Sequence, residues 1–168
     1  MLYERGTDLW LVTIPELRAT QFLKSSSTLK NGQFSPDSKW VAYSSNESGT
    51  VEVYVRPFPA SSEGKWLVSN GGGAQVRWRP DGKELFYIAP GGTLMAEDVH
   101  VTGSSFEVGA PKVLFRTEIL GGAGGGPTNA WRYAISKDGQ RFLINVTAEE
   151  TASLPITVVT NWPTELKN

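Results

Sequence analysis

Three aspartates occupy matching surroundings. Asp37 lies in Ser35-Pro36-Asp37-Ser38, Asp81 in Arg79-Pro80-Asp81-Gly82 and Asp138 in Ser136-Lys137-Asp138-Gly139. A carboxylate repeated this way could act as an acid, a base or a metal ligand. The neighbouring residues argue for turn formation instead. Proline at the second position presets φ for a type I turn, aspartate next bonds local backbone, and glycine suits the fourth position. Ser38 replaces that glycine in the first copy and Lys137 replaces the proline in the third. A type I turn tolerates both changes. Asp37, Asp81 and Asp138 are therefore read as structural.

The remaining candidates for catalysis are few. Cysteine is absent, which removes disulfides, thiolate chemistry and Cys-based metal sites. His100 is the only histidine, so no histidine cluster can hold a metal. "GSSFEVG" from Gly103 fails the spacing of a G-x-S-x-G nucleophile elbow. His100 reads as a surface residue near a strand end. Glu97 and Asp98 are adjacent in a predicted strand and so face opposite ways, which makes them a poor acid–base pair. "GGAGGGPT", Gly121 to Thr128, lacks the Gly-Lys-Ser/Thr ending of a phosphate-binding loop. The protein-kinase signature residues are missing. The sequons at Asn46 and Asn145 read as chance, the second lying in a predicted middle strand. The sequence points to no catalytic residue, no metal and no cofactor.

Composition agrees with an ordinary globular domain. The 168 residues are 39% hydrophobic and 20% charged, enough for one core. Sixteen Lys+Arg against 17 Asp+Glu leave a net charge of −1, which argues against a nucleic-acid binder. No apolar run reaches the roughly 18 residues of a membrane span. The N-terminus shows no basic region followed by an apolar one, so no standard export signal or anchor is expected.

The turns must be held by strands. Asp37 and Asp81 are 44 residues apart, and Asp81 and Asp138 are 57 apart. The first step suits a four-stranded propeller blade of roughly 40–45 residues. The excess in the second falls in the Gly-rich Ile119 to Asn129. After each turn comes an apolar strand: "KWVAYSS", "ELFYIA" and "RFLINV". These runs do not alternate, as expected of strands buried on both faces in stacked sheets. Shorter strands precede them at Gly32–Ser35, Gln75–Arg79 and Trp131–Ser136. Others follow at Val51–Arg56, Lys65–Ser69, Leu94–Val101, Lys112–Phe115 and Ile156–Asn161. Leu9–Ile14 and Gln21–Lys24 read as the last two strands of a further blade. "AEETASL", Ala148 to Leu154, reads as a loop. The expected architecture is all-β: a half-blade over 8–26, blade one over 32–70, blade two over 74–116 and blade three over 130–162. That makes a partial β-propeller of three four-stranded antiparallel blades plus half a blade.

"FSPDSKWVAYSSNESGTVEVYVRPFP", "WLVSNGGGAQVRWRPDGKELFYIAPGGTLMAEDV" and "YAISKDGQRFLINV…PITVVTNW" resemble the Pro-Asp-type repeats of the Tol-Pal translocation β-propeller superfamily. The likeness is greatest to the propeller at the C-terminus of bacterial receptor-like serine/threonine protein kinases. It runs from about Leu9 to Trp162. The resemblance implies a binding propeller, the sensory or interaction end of a longer protein, located outside the bacterial cytoplasm. Copies in that family commonly carry an apolar residue where Glu97 stands.

In a propeller the first strand of each blade lines the central channel, and rim loops form a binding face. That places Gln75, Arg77, Arg79, Asn129, Trp131 and Arg132 as candidate binding residues. Arginine and aromatic side chains there suit an anionic or peptide ligand. The alternative for Arg77 and Arg79 is to satisfy carboxylates or carbonyls within the ring. The leading function is a non-catalytic interaction module for a protein or peptide partner. A regulatory gate attached to a kinase or serine hydrolase domain is the rival. Three repeats do not close a ring of four to eight blades. The sequence therefore raises a homodimer that closes the ring by strand exchange, with six blades or else eight. In the six-bladed form, Leu9–Ile14 and Gln21–Lys24 would complete the partner's last blade.

Overall fold

The computed structural model describes residues 1–59, 64–103, 105–119 and 131–146. They form four antiparallel sheets in chain order. The first joins β1 (Leu2–Arg5), β2 (Asp8–Thr13) and β3 (Arg18–Leu23). Blade one joins β4 (Leu29–Phe34), β5 (Trp40–Ser45), β6 (Glu52–Pro57) and β7 (Trp66–Leu67). Blade two joins β8 (Ala74–Trp78), β9 (Glu84–Ala89), β10 (Thr93–Thr102), β11 (Ser105–Val108) and β12 (Lys112–Arg116). The last sheet joins β13 (Tyr133–Ile135) and β14 (Phe142–Ile144). The described helical structure is one 3₁₀ turn, Pro90–Gly92. Among the described residues no helix is long and apolar enough to cross a membrane. The fold is a partial β-propeller.

The unbroken apolar runs now have a physical cause. All six residues of β5 are buried. Val41 and Tyr43 face the first sheet, where with Leu29 and Tyr54 of their own blade they meet Leu9. Trp40 and Ala42 face the other way and join Val76, Trp78, Leu85 and Tyr87 of blade two. In β9 the alternation repeats, with Phe86 and Ile88 turned toward Tyr133, Phe142 and Ile144 of the last sheet. A strand sandwiched between two sheets needs apolar residues on both faces. β14 departs from this, since Leu143 is 78% exposed on the side away from blade two.

Each turn closes as the spacing predicts. Ser38 N donates to Ser35 O, Gly82 N to Arg79 O and Gly139 N to Ser136 O, each at 2.9 Å. The fourth position is left-handed in all three copies, with φ of 58° at Ser38, 75° at Gly82 and 70° at Gly139. Ser38 is thus the residue that bears a backbone conformation glycine adopts freely.

Two strands were not anticipated. β1 makes the first sheet three-stranded, paired to β2 through a turn at Gly6 with φ of 64°. β11 pairs with the end of β10 from Val99 to Thr102, while β12 pairs with its beginning from Thr93 to Ala96. The hairpin carries Phe106 into the interface between blades one and two. Its ring centre lies 5.0 Å from Trp40, 5.7 Å from Trp66 and 6.1 Å from Trp78. The expected Ile156–Asn161 strand and the "AEETASL" loop lie outside the described residues. Asn145, expected inside a strand, follows β14 and is exposed.

Candidate functional site at the inner edge of the sheets

The first strands of blades one and two bulge at equivalent places. Asn31 and Gln75, 44 positions apart, have φ of 54° and 56°, and both ladders shift register there. Side-chain acceptors then tie each sheet to the next. Asn31 N donates to Glu4 Oε1 at 2.7 Å, Trp78 N to Gln33 Oε1 at 3.1 Å and Arg132 N to Gln75 Oε1 at 3.0 Å. The Tyr133 hydroxyl shares its proton between Gln75 O at 2.9 Å and Phe86 O at 3.0 Å. Full burial raises the Tyr133 phenol far above its ordinary range, so it stays a neutral donor.

Arg77 and Arg79 belong to one segment but differ in surroundings. Arg79 Nη1 donates to Glu84 Oε2 at 2.8 Å, and its Nε lies 3.5 Å from Asp81 Oδ2. It also runs beneath the next turn, where a Cβ on Gly139 would come within 2.6 Å of Arg79 Nε. Among the described residues Arg77 has no carboxylate partner. Its Cζ sits over the Trp131 ring at 4.1 Å and 5.7 Å from the Tyr133 ring centre. Its Nε is buried and unpartnered. Burial lowers its pKa, with Tyr133 opposing the shift.

Trp131 bridges two hollows. One, of about 210 Å³, is bounded by Leu2, Glu4, Asn31 and Gly32 at the inner edges of the first sheet and blade one. The other, of about 400 Å³, is bounded by Arg77, Arg132, Leu143 and Asn145. The structure therefore brings Gln75, Arg77, Trp131 and Arg132 together and places Arg79 at the turn. Asn129 lies outside the described residues. Tyr133 and Asn145 join this group without having been singled out. Tyr133 was legible as part of "WRYAIS", whereas the sequence marks Asn145 only as a sequon, which says nothing of binding.

The turns border a separate groove of about 750 Å³ between blades one and two. Its carboxylates already have partners. Asp37 Oδ1 accepts from Ser35 Oγ at 2.6 Å and Lys39 N at 3.1 Å. Asp81 Oδ1 accepts from Lys83 N at 3.0 Å, and Asp98 Oδ2 accepts from Lys112 Nζ at 2.5 Å. In the third copy Asp138 Oδ1 accepts from Ser136 Oγ and from Gln140 N at 3.0 Å. Bonds to serine hydroxyls hold the Asp37 and Asp138 carboxyls below their ordinary range. His100 is exposed on the groove wall. Glu97 turns away from Asp98 into the blade, 1% exposed, and accepts from Tyr87 Oη at 2.8 Å. Among the described residues no cluster of His, Cys, Asp or Glu could hold a metal ion.

No protein-family model and no curated protein matches the chain. Among solved structures it is similar to TolB from Acinetobacter baumannii, with 16% identity and a TM-score of 0.52. That likeness covers 83% of this chain and 32% of the other. A TolB-type protein of Agrobacterium tumefaciens has 15% identity and a TM-score of 0.48, over 64% of this chain and 42% of the other. The chain spans less than half the length of either. The likeness to the Acinetobacter structure concerns the fold.

Proposed function

We propose that this propeller is a non-catalytic interaction module that takes a protein or peptide segment at the inner edge of its sheets. The observation that carries the reading is Arg77, a half-buried guanidinium laid over Trp131, with no acceptor on Nε, beside an open hollow. Aromatic and arginine side chains grouped in a recess are the usual anchors of protein recognition. The same site would serve a propeller attached to a kinase or serine hydrolase domain. The test is selection of displayed random peptides on the folded protein. Peptides should be captured, and Arg77→Ala and Trp131→Ala should weaken capture without lowering the melting temperature. Capture of nothing, or variants that unfold, would end the reading.

A second reading is a homodimer that closes the ring. It draws on the outer faces of the two end sheets. Leu143 is exposed on one. Tyr3, Trp10 and Arg5 cluster on the first sheet, where Trp10 Nε1 is buried without a partner. The first sheet packs through Leu2, Leu9, Phe22 and Leu23 against blade one. Two copies of the four described sheets favour eight blades over six and face-to-face packing over strand exchange. Light scattering during size exclusion should give twice 18.3 kDa. A single-chain mass at high protein concentration would overturn the dimer.

A further inference from the structure

We infer that Arg77 anchors a carboxylate of the bound segment, supplied by an Asp or Glu side chain or by a free C-terminus. The inference rests on the interaction-module reading and names the chemistry that the site takes.

The argument starts from an imbalance of charge. Arg77 and Arg79 stand two positions apart, and only Arg79 is neutralised by its own copy. Among the described residues no carboxylate lies within ion-pair distance of Arg77, although burial already disfavours its charge. Among the described residues, no acidic side chain borders the hollow beside it. An uncompensated guanidinium in a partly dry site attracts an anion more strongly than one in water.

Geometry selects the kind of anion. The guanidinium carbon lies 4.1 Å from the Trp131 ring centre, a separation that suits a guanidinium stacked by its planar face. In that arrangement the in-plane N–H groups remain as donors; Nε–H is buried without an acceptor, so the Nη groups form the edge that a ligand can reach. A planar fork of N–H groups matches a planar carboxylate with two parallel bonds. Leu143 and Ile144 border the same hollow. An apolar wall next to the cation suits the methylene stem of an acidic residue better than a fully hydrated phosphate.

The test is NMR titration of the whole chain, read at Arg77 Nε–H and Trp131 Nε1–H. The probes are acetyl-Leu-Glu-Leu-amide, its Gln counterpart, Leu-Gln-Leu with a free C-terminus, and inorganic phosphate. The Glu peptide or the free C-terminus should shift both resonances, and whichever binds more tightly identifies the source of the carboxylate. The amidated Gln peptide should bind at least about tenfold more weakly, the loss expected when a charged partner is removed. Arg77→Lys keeps the charge and removes the fork, and should also cost about tenfold. Failure of both the Glu peptide and the free C-terminus to bind more tightly than the amidated Gln peptide, or undiminished binding to Arg77→Lys, overturns the carboxylate site. Phosphate that displaces the Glu peptide with equal affinity overturns it as well. If displayed peptides are still captured in those cases, the module reading stands alone; if none is, both fall.

Discussion

Gln75 reaches from blade two to the last sheet, where its Oε1 accepts the Arg132 N–H at 3.0 Å. Gln75 itself holds a left-handed φ of 56°. One residue thus carries both a strained backbone and an inter-sheet bond. Gln75→Ala should lower stability by about 1–3 kcal/mol, because it leaves a partly buried N–H unpaired and keeps the strain. Gln75→Gly loses the same bond but relaxes the backbone, and should cost less. Urea denaturation of the two variants separates the terms. Equal losses would show that the backbone conformation costs nothing.

Ser38→Gly should stabilise the protein by about 0.5–1 kcal/mol. The substitution removes a Cβ from a position with φ of 58° that Gly82 and Gly139 fill in the other copies. A melting temperature at or below that of the parent would refute this account of the turn.

Asp81→Ala should destabilise by about 0.5–2 kcal/mol, since Lys83 N loses its acceptor and Arg79 loses one of its two carboxylates. Peptide capture at the inner edge should be unchanged, because Asp81 lies at the turn groove. Loss of capture with unaltered stability would assign Asp81 to a binding site.

Phe106→Ala should cost about 3–5 kcal/mol, the usual loss for emptying a buried phenylalanine site. Phe106 is 1% exposed and touches three tryptophans, so the variant's intrinsic fluorescence should change in the folded state. A small loss with unaltered emission would mean that the hairpin does not seal the interface.

Glu97 supplies a pH dependence. Burial raises its carboxyl from an ordinary value of 4.5 to about 7, and the Tyr87 bond opposes the shift. The folded state therefore holds this proton more tightly than the unfolded state. The resulting stability is complete below about pH 4.5 and is lost as pH rises through 7. The loss amounts to about 3 kcal/mol at the scale of one pKa unit per 1.4 kcal/mol. Glu97→Gln should flatten stability across that window. An unchanged slope in the variant would assign the dependence to other groups.

Much of the architecture was legible because the chain repeats itself. The turns around Asp37, Asp81 and Asp138 and the apolar strands after them follow from local residue types. β1 was not legible, since "LYER" is short and half polar and its pairing depends on the turn at Gly6. β11 was hidden because "SSFEV" offers one large apolar residue between glycines. The inner-edge group was legible as residue types on first strands. Its division of labour was not, because Arg77 and Arg79 look alike until Glu84 and Trp131 are placed around them. The bonds from Asn31 to Glu4 and from Trp78 to Gln33 span 27 and 45 positions, which only register can align.

Those bonds each join a sheet only to the next along the chain. Such a molecule resembles a row of dominoes more than a sphere, and its free energy approximates a sum of unit and nearest-neighbour terms. The weakest unit among the described residues is the last sheet, two strands of three residues each. Opening can begin there and walk inward without disturbing the tryptophans around Phe106. An amide in β14 then reports a local fluctuation, whereas an amide in β9 reports a larger opening that takes blade two with it.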